Sequence, residues 1–329
     1  MRTELRGKSV LLIAPSYFGY DQLIRDGLAR AGARVALLND RPSTTSLTKA
    51  AIRINRRLVQ PWSDAYFEKV ISRAGLGTID YVLIVIGEAL SPKALQKLRA
   101  SHPSAKVLLY MWDSFDNKPA LRAHLDQVDA AYSFDGEDCR KYSMIFRPLF
   151  FGTEYEDFVR RPVEFDLAFI GTAHDDRYPA VKRVKASLPH DRSLFHFFYI
   201  QSPLLYAWRR LTDAHLRGAS VADFSFRSMP KTEVVDILAR SRAALDVQHP
   251  RQRGLTIRTF EAMGAGLKLV TTNPDVRNYD FFDPQNILVI DRANPEIPAL
   301  FLEQPAVPVG SALKRKYSLA GWIDEVMDV

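Results

Sequence analysis

Cysteine is nearly absent from this chain of 329 residues: Cys139 stands alone. A lone thiol excludes an internal disulfide and suits a reducing cytosol. No His or Cys neighbours it in sequence, so it reads as a packed side chain and not as a nucleophile. No apolar run approaches the roughly 18 residues of a transmembrane helix. The first apolar run covers only Val10 to Ala14, with no small-residue cleavage pattern behind it. It reads as a first strand and not as a signal peptide. Dinucleotide, P-loop and hydrolase signatures are missing as well. Pro15-Ser-Tyr-Phe-Gly-Tyr20 follows the first strand where G-x-G-x-x-G would stand, and neither G-x-x-x-x-G-K-[ST] nor G-x-S-x-G occurs. The 7 histidines lack metal-ligand spacing, so no metal site is expected. Asp175-Asp176 and Asp113-x-x-Asp116 come nearest to a D-x-D pair, and both read equally as helix caps or solvated loops.

What remains is an ordinary globular composition, 47% hydrophobic and 25% charged. The length favours two domains. Lys and Arg exceed Asp and Glu by 45 − 38 = +7. That balance suits anionic partners, whether phosphorylated substrates, an anionic membrane or nucleic acid, and does not choose among them.

Short apolar strands alternate with helical patterns twice over. Ser9–Ala14, Arg34–Leu38, Tyr81–Ile86, Lys106–Met111 and Ala130–Phe134 read as strands of a first half, with helices at Tyr20–Ala31 and Pro92–Ala100. A connector spans Phe146–Pro162. Strands at Phe165–Ile170, Leu194–Ile200, Ala243–Val247, Leu267–Thr271 and Asn286–Ile290 follow, with helices at Pro179–Leu188, Pro203–Leu216, Lys231–Ser241 and Leu255–Gly264. Unbroken apolar strands separated by helices indicate parallel sheets covered on both faces. The expectation is α/β: two Rossmann-like domains, 1–158 and 159–329, facing across a cleft. A terminal helix over Leu313–Met327 is free to pack back on the first.

Two segments break the alternation. Ser46–Val59 puts Leu47, Ala51, Ile54 and Leu58 on one stripe among basic residues, which suits either an anionic membrane surface or ordinary packing. Tyr206-Ala-Trp-Arg-Arg-Leu is aromatic and basic, and reads as core packing with surface charge.

The most specific stretch is His249–Thr272, HPRQRGLTIRTFEAMGAGLKLVTT. It lies between two apolar strands and carries Arg258 and Glu261 on one helix face, since side chains three apart are neighbours. A lone R-x-x-E is usually a surface ion pair. Placed after a strand, in an α/β sheet that binds ligands at its strands' carboxyl ends, it also suits a nucleotide diphosphate: guanidinium on phosphate, carboxylate on ribose. His249, Arg253 and Thr259 belong to the same stretch. Gly171-Thr172-Ala-His174-Asp-Asp-Arg177 follows another strand and suits a phosphate held by backbone amides, His174 and Arg177, or a plain βα turn. Glu88 and Asp113 each follow an apolar strand, as a general base or a helix cap.

With FDLAFIGTAHDDRY, LDVQHPRQRGLTIRTFEAMGAG, NYDFF, NILVI, LLYMWDSFDN and AYSFDGEDCRKY in place, most of the chain resembles GT-B glycosyltransferases. The likeness is to the spore-maturation-type and capsule or lipopolysaccharide branch. The resemblance implies a metal-independent enzyme that needs no cofactor and takes a nucleotide-sugar donor as substrate. It places Glu261 at the second acid of the E-x7-E pattern, on the ribose; Arg253 stands where the first acid belongs. The implied activity is sugar transfer to a glycan or lipid-linked acceptor, in the cytoplasm or at the inner membrane face, with contact through 46–59. A catalytically inactive nucleotide- or sugar-binding relic is the alternative. Nucleic acid is not expected as a partner, because no binding motif accompanies the charge.

Overall fold

The structure is a computed structural model and describes residues 5–41, 62–67, 77–250 and 252–328. The basic stripe at 46–59 lies outside them. Two compact units divide the chain: Met1–Pro148 with Leu319–Val329, and Leu149–Ser318.

In the first unit, β1 (Ser9–Ala14), β2 (Arg34–Asn39), β3 (Tyr81–Val85), β4 (Lys106–Met111), β5 (Ala130–Ser133) and β6 (Ile145–Phe146) form one sheet. Its order is β2-β1-β3-β4-β5-β6, and every pairing is parallel. β1 is buried along its whole length, which is why its sequence is a continuous apolar run instead of an alternation. The helix Pro92–Ser101 starts where expected: Ser91 caps it by accepting from the Ala94 amide at 2.9 Å, and Pro92 supplies a preset first turn.

The second unit repeats the plan with β7 (Phe165–Thr172), β8 (Leu194–Tyr199), β9 (Phe224–Ser225), β10 (Ser241–Asp246), β11 (Lys268–Thr271) and β12 (Ile287–Val289). These are again all parallel, in the order β12-β11-β10-β7-β8-β9. Counted within the unit, that is the 3-2-1-4-5-6 order of a Rossmann sheet read from the other edge, and it reverses between β7 and β10. Leu167, Phe169, Val181, Phe198, Leu245 and Val270 form much of its core.

Two expectations are corrected. The terminal helix is not continuous: Ser311–Tyr317 and Leu319–Val326 are separate helices. Ser318 bridges to Phe151, and the Phe151 amide donates to the Tyr317 carbonyl at 3.0 Å, which draws the backbone out of helical geometry. In the helix Pro203–Thr212 only Tyr206 is core. Its hydroxyl donates to the Ala219 carbonyl at 2.8 Å, while Trp208 and Leu211 face outward. No described helix is long and apolar enough to cross a membrane.

Candidate functional site

In the second unit the strand order reverses between β7 and β10, the position where such sheets bind ligands. β7 runs through Gly171 and Thr172, which pair with Phe198 and Tyr199 of β8. These two residues are therefore ladder positions and not the loop that was expected. The next amides are also committed: Ala173 donates to the Tyr199 carbonyl at 2.9 Å and His174 to the Thr172 carbonyl at 3.0 Å.

Beyond the strand ends three side chains meet. Asp175 Oδ2 lies 2.6 Å from His174 Nδ1 and 3.2 Å from His249 Nε2. Asp175 holds a left-handed backbone, φ 50°, which is uncommon for a residue with a side chain. The hydrogen bond from His174 holds its carboxyl down at about 2. Burial lowers the His174 pKa and outweighs the adjacent carboxylate, so a neutral imidazole donates to Asp175. Both imidazoles are aimed at one carboxylate oxygen instead of a shared empty point. Among the described residues, no group of three or more His, Cys, Asp or Glu could hold a metal ion.

Arg177 ties the two strand ends together, donating from Nε to the Val247 carbonyl at 2.6 Å and from Nη1 to the Thr172 carbonyl at 3.4 Å. Arg292 donates to the Gln248 carbonyl and lies 3.5 Å from Asp176. Beneath them Asp246 closes β10, fully enclosed, its pKa raised by burial. Three hydroxyls meet it: Thr256 at 2.7 Å, and Thr259 and Thr271 at 3.4 Å each. Thr259 is thereby an interior support.

The helix Ile257–Gly264 is buried on more than one face. Arg258 Nη1 lies 2.6 Å from Glu261 Oε2, so the shared face brings the cation and the acid onto each other. Glu261 is only 3% exposed. Tyr155 packs beside them; burial and the Glu261 charge push its hydroxyl pKa upward, against the Arg258 hydrogen bond. The Gly-Ala-Gly turn has two separate causes. A Cβ at Gly264 would stand 2.5 Å from the Phe151 ring. Gly266 takes φ 64° and closes the helix: its amide donates to the Met263 carbonyl and the Leu267 amide to that of Ala262, a Schellman cap. Arg253 is exposed, and its carbonyl accepts from Asn273 Nδ2 at 3.0 Å.

In the first unit the order reverses between β1 and β3. Glu88 follows β3 and is held by two cations, Lys118 at 2.5 Å and Arg41. Burial raises its pKa, but Lys118 and Arg41 together bring the net value below the usual range. Arg41 also donates to the Tyr17 hydroxyl. Asp40, fully buried, accepts from the Glu88 amide at 3.1 Å, and burial pushes its pKa up to about 6. Asp113 accepts through Oδ1 from the Ser114 amide at 2.9 Å and from Asn117 Nδ2 at 2.8 Å.

The structure thus brings His174, Arg177 and His249 together, pairs Arg258 with Glu261, and buries Thr259. Sequence reasoning missed Asp175 as the shared partner of two histidines, and it missed Asp40, Asp246 and Arg292. Asp40 and Asp246 carried a usable signal: each acid closes an apolar strand, as Glu88 and Asp113 do.

Residues 201–306 match the Glycosyl transferase-like family. The whole chain superposes on HepE of Anabaena, solved with UDP and glucose, at a TM-score of 0.60 and 9% identity over 98% of each chain. The fold is that of the GT-B glycosyltransferases, and the family likeness covers residues 201–306. The chain also superposes on the N-terminal domain of Candida albicans trehalose-6-phosphate phosphatase, with a TM-score of 0.53, 11% identity, and 100% and 94% of the two chains covered. A looser likeness, TM-score 0.44 at 12% identity over 98% and 96% of the chains, joins it to the lipopolysaccharide outer core galactosyltransferase WaaB. No curated protein matches the chain in sequence.

Proposed function

We propose that this enzyme moves a sugar from a nucleotide-activated donor to a glycan or lipid-linked acceptor in surface polysaccharide biosynthesis, working at the inner face of the cell membrane. The observation that carries the donor side is the gathering of His174, Arg177 and His249 where the second unit's strand order reverses. Donor cleavage leaves negative charge on a nucleotide phosphate. Without a metal, cations and fixed dipoles must stabilise that charge. Arg258 suits the diphosphate and Glu261 the ribose once their mutual contact opens to the ligand. Arg253, exposed nearby in sequence, adds a cation where the family pattern has an acid.

The acceptor hydroxyl must lose a proton. Asp113 suits that role better than Glu88, because among the described residues its bonds go through Oδ1 alone whereas both Glu88 oxygens are engaged by cations. Glu88 serves instead to hold Arg41 and Lys118 in place.

The test is a thermal-shift screen against UDP, GDP, CMP and dTDP and their sugars, followed by turnover with the donor that binds. Glu261→Gln and Arg258→Ala each lower turnover by roughly a hundredfold or more, with the circular dichroism spectrum unchanged. Unaltered turnover in both variants sinks the assignment. The mutual pairing of Arg258 and Glu261 favours one second reading, a nucleotide binder without catalysis. In that case nucleotides raise Tm and no sugar moves.

A further inference from the structure

We infer that the helix Pro203–Thr212 seats the second unit on a membrane surface rich in anionic phospholipid, with Leu204, Trp208 and Leu211 entering the headgroup boundary. This rests on the peripheral placement proposed above and names the surface responsible. The three side chains are 83%, 61% and 85% exposed. Their spacing puts them on one helix face. Singly exposed apolar residues need no explanation, but three large ones in line on ten residues form a patch.

The helix cannot roll to hide that patch, because its other face is anchored. Tyr206 is buried and bonded to Ala219, Arg209 pairs with Asp213 at 2.6 Å, and Arg209 also donates to the Ala173 carbonyl beside His174. Ser202 caps the start by accepting from the Leu205 amide at 3.2 Å. The usual amphipathic arrangement is thus inverted, with the apolar stripe turned to solvent.

Charge selects the occupant. Arg210, Arg217 and Arg227 are exposed on the same segment. The local acids are already engaged, Asp213 by Arg209 and Asp223 by the Tyr178 hydroxyl. The segment therefore presents surplus positive charge around a Leu-Trp-Leu face, in a chain of net +7. That layering matches phosphate above acyl carbon, and Trp is favoured at the boundary between them. The bond from Arg209 to Ala173 joins the seat directly to the loop of the donor site.

The test is co-sedimentation of the full chain with vesicles of phosphatidylcholine alone or mixed with phosphatidylglycerol. We expect binding to the anionic vesicles, weakened by salt, with a blue shift of Trp208 emission that is lost in Trp208→Ser. The triple variant Leu204→Ser, Trp208→Ser, Leu211→Ser binds at least about tenfold more weakly. Arg210→Gln and Arg217→Gln each cost about fivefold. All these side chains are exposed, so Tm stays unchanged. The Tm rise given by whichever of UDP, GDP, CMP or dTDP binds is also kept, which separates this proposal from the donor assignment. Undiminished vesicle binding by the triple variant overturns the inference. So does absence of binding by the unaltered protein, or a self-association that disappears in the triple variant without any vesicle binding.

Discussion

Asp40 follows β2 with its carboxyl out of water, and among the described residues its hydrogen-bond donor is the Glu88 amide, at 3.1 Å. Burial disfavours the ionised form more than Arg41 restores it, so the group titrates at about 6. In the unfolded chain it titrates near ~3.9. The fold therefore holds the proton more tightly. The stability this gives is complete below the unfolded value and is lost as pH rises through about 6. Asp40→Asn keeps an acceptor for the Glu88 amide and removes the charge. Urea unfolding across pH should show no gain for the variant near pH ~4, and a gain of about 1–3 kcal/mol above pH ~7. A difference that does not change with pH would show the carboxyl titrating at its ordinary value. The sequence marks Asp40 as an acid after an apolar strand, as it does Glu88 and Asp113. It cannot mark which of the three loses its water, because that depends on the neighbours the sheet supplies.

At the scale of elements, the helix Ile257–Gly264 was legible in type and position from its flanking strands and its glycine turn. The spacing of Arg258 and Glu261 also correctly placed them on one face. Spacing does not say what that face meets, and here the cation and the acid meet each other beside Tyr155. The two glycines of the turn look alike in sequence and differ in cause, which makes them separable. Gly264→Ala drives a Cβ into the rigid Phe151 ring, 2.5 Å away, and should cost about 1–3 kcal/mol of unfolding free energy. Gly266→Ala meets open space and should lose only about 1 kcal/mol, from its left-handed backbone. Equal losses in urea melts of the two variants would contradict this division. The loop at Gly171 and Thr172 was misread for a related reason. Glycine suggested a turn, but pairing with β8 carries the strand two residues further.

At the scale of the molecule, the chain returns to its first unit only at Leu319. Trp322 is fully buried there, edge-on to Tyr110 with ring centroids 4.8 Å apart. Trp322→Ala should destabilise the first unit by about 3–5 kcal/mol. Thermal unfolding should show that unit melting earlier while the second keeps its midpoint. A single transition displaced as a whole would mean that the units unfold together. Sequence alone determined the α/β class, the two repeats of strand and helix, and the parallel pairing, because strands buried on both faces must be continuous apolar runs. It also located the stretch that matches the glycosyltransferase family. Only the tertiary structure decided the order of the strands, and with it which loops meet: His174 with His249 through Asp175, and Glu88 with Arg41 and Lys118. It also decided which apolar stripe stays uncovered. Periodicity defines a face along one element; what that face touches is settled by elements distant in sequence, as Leu204, Trp208 and Leu211 make plain on a helix whose opposite side is already anchored.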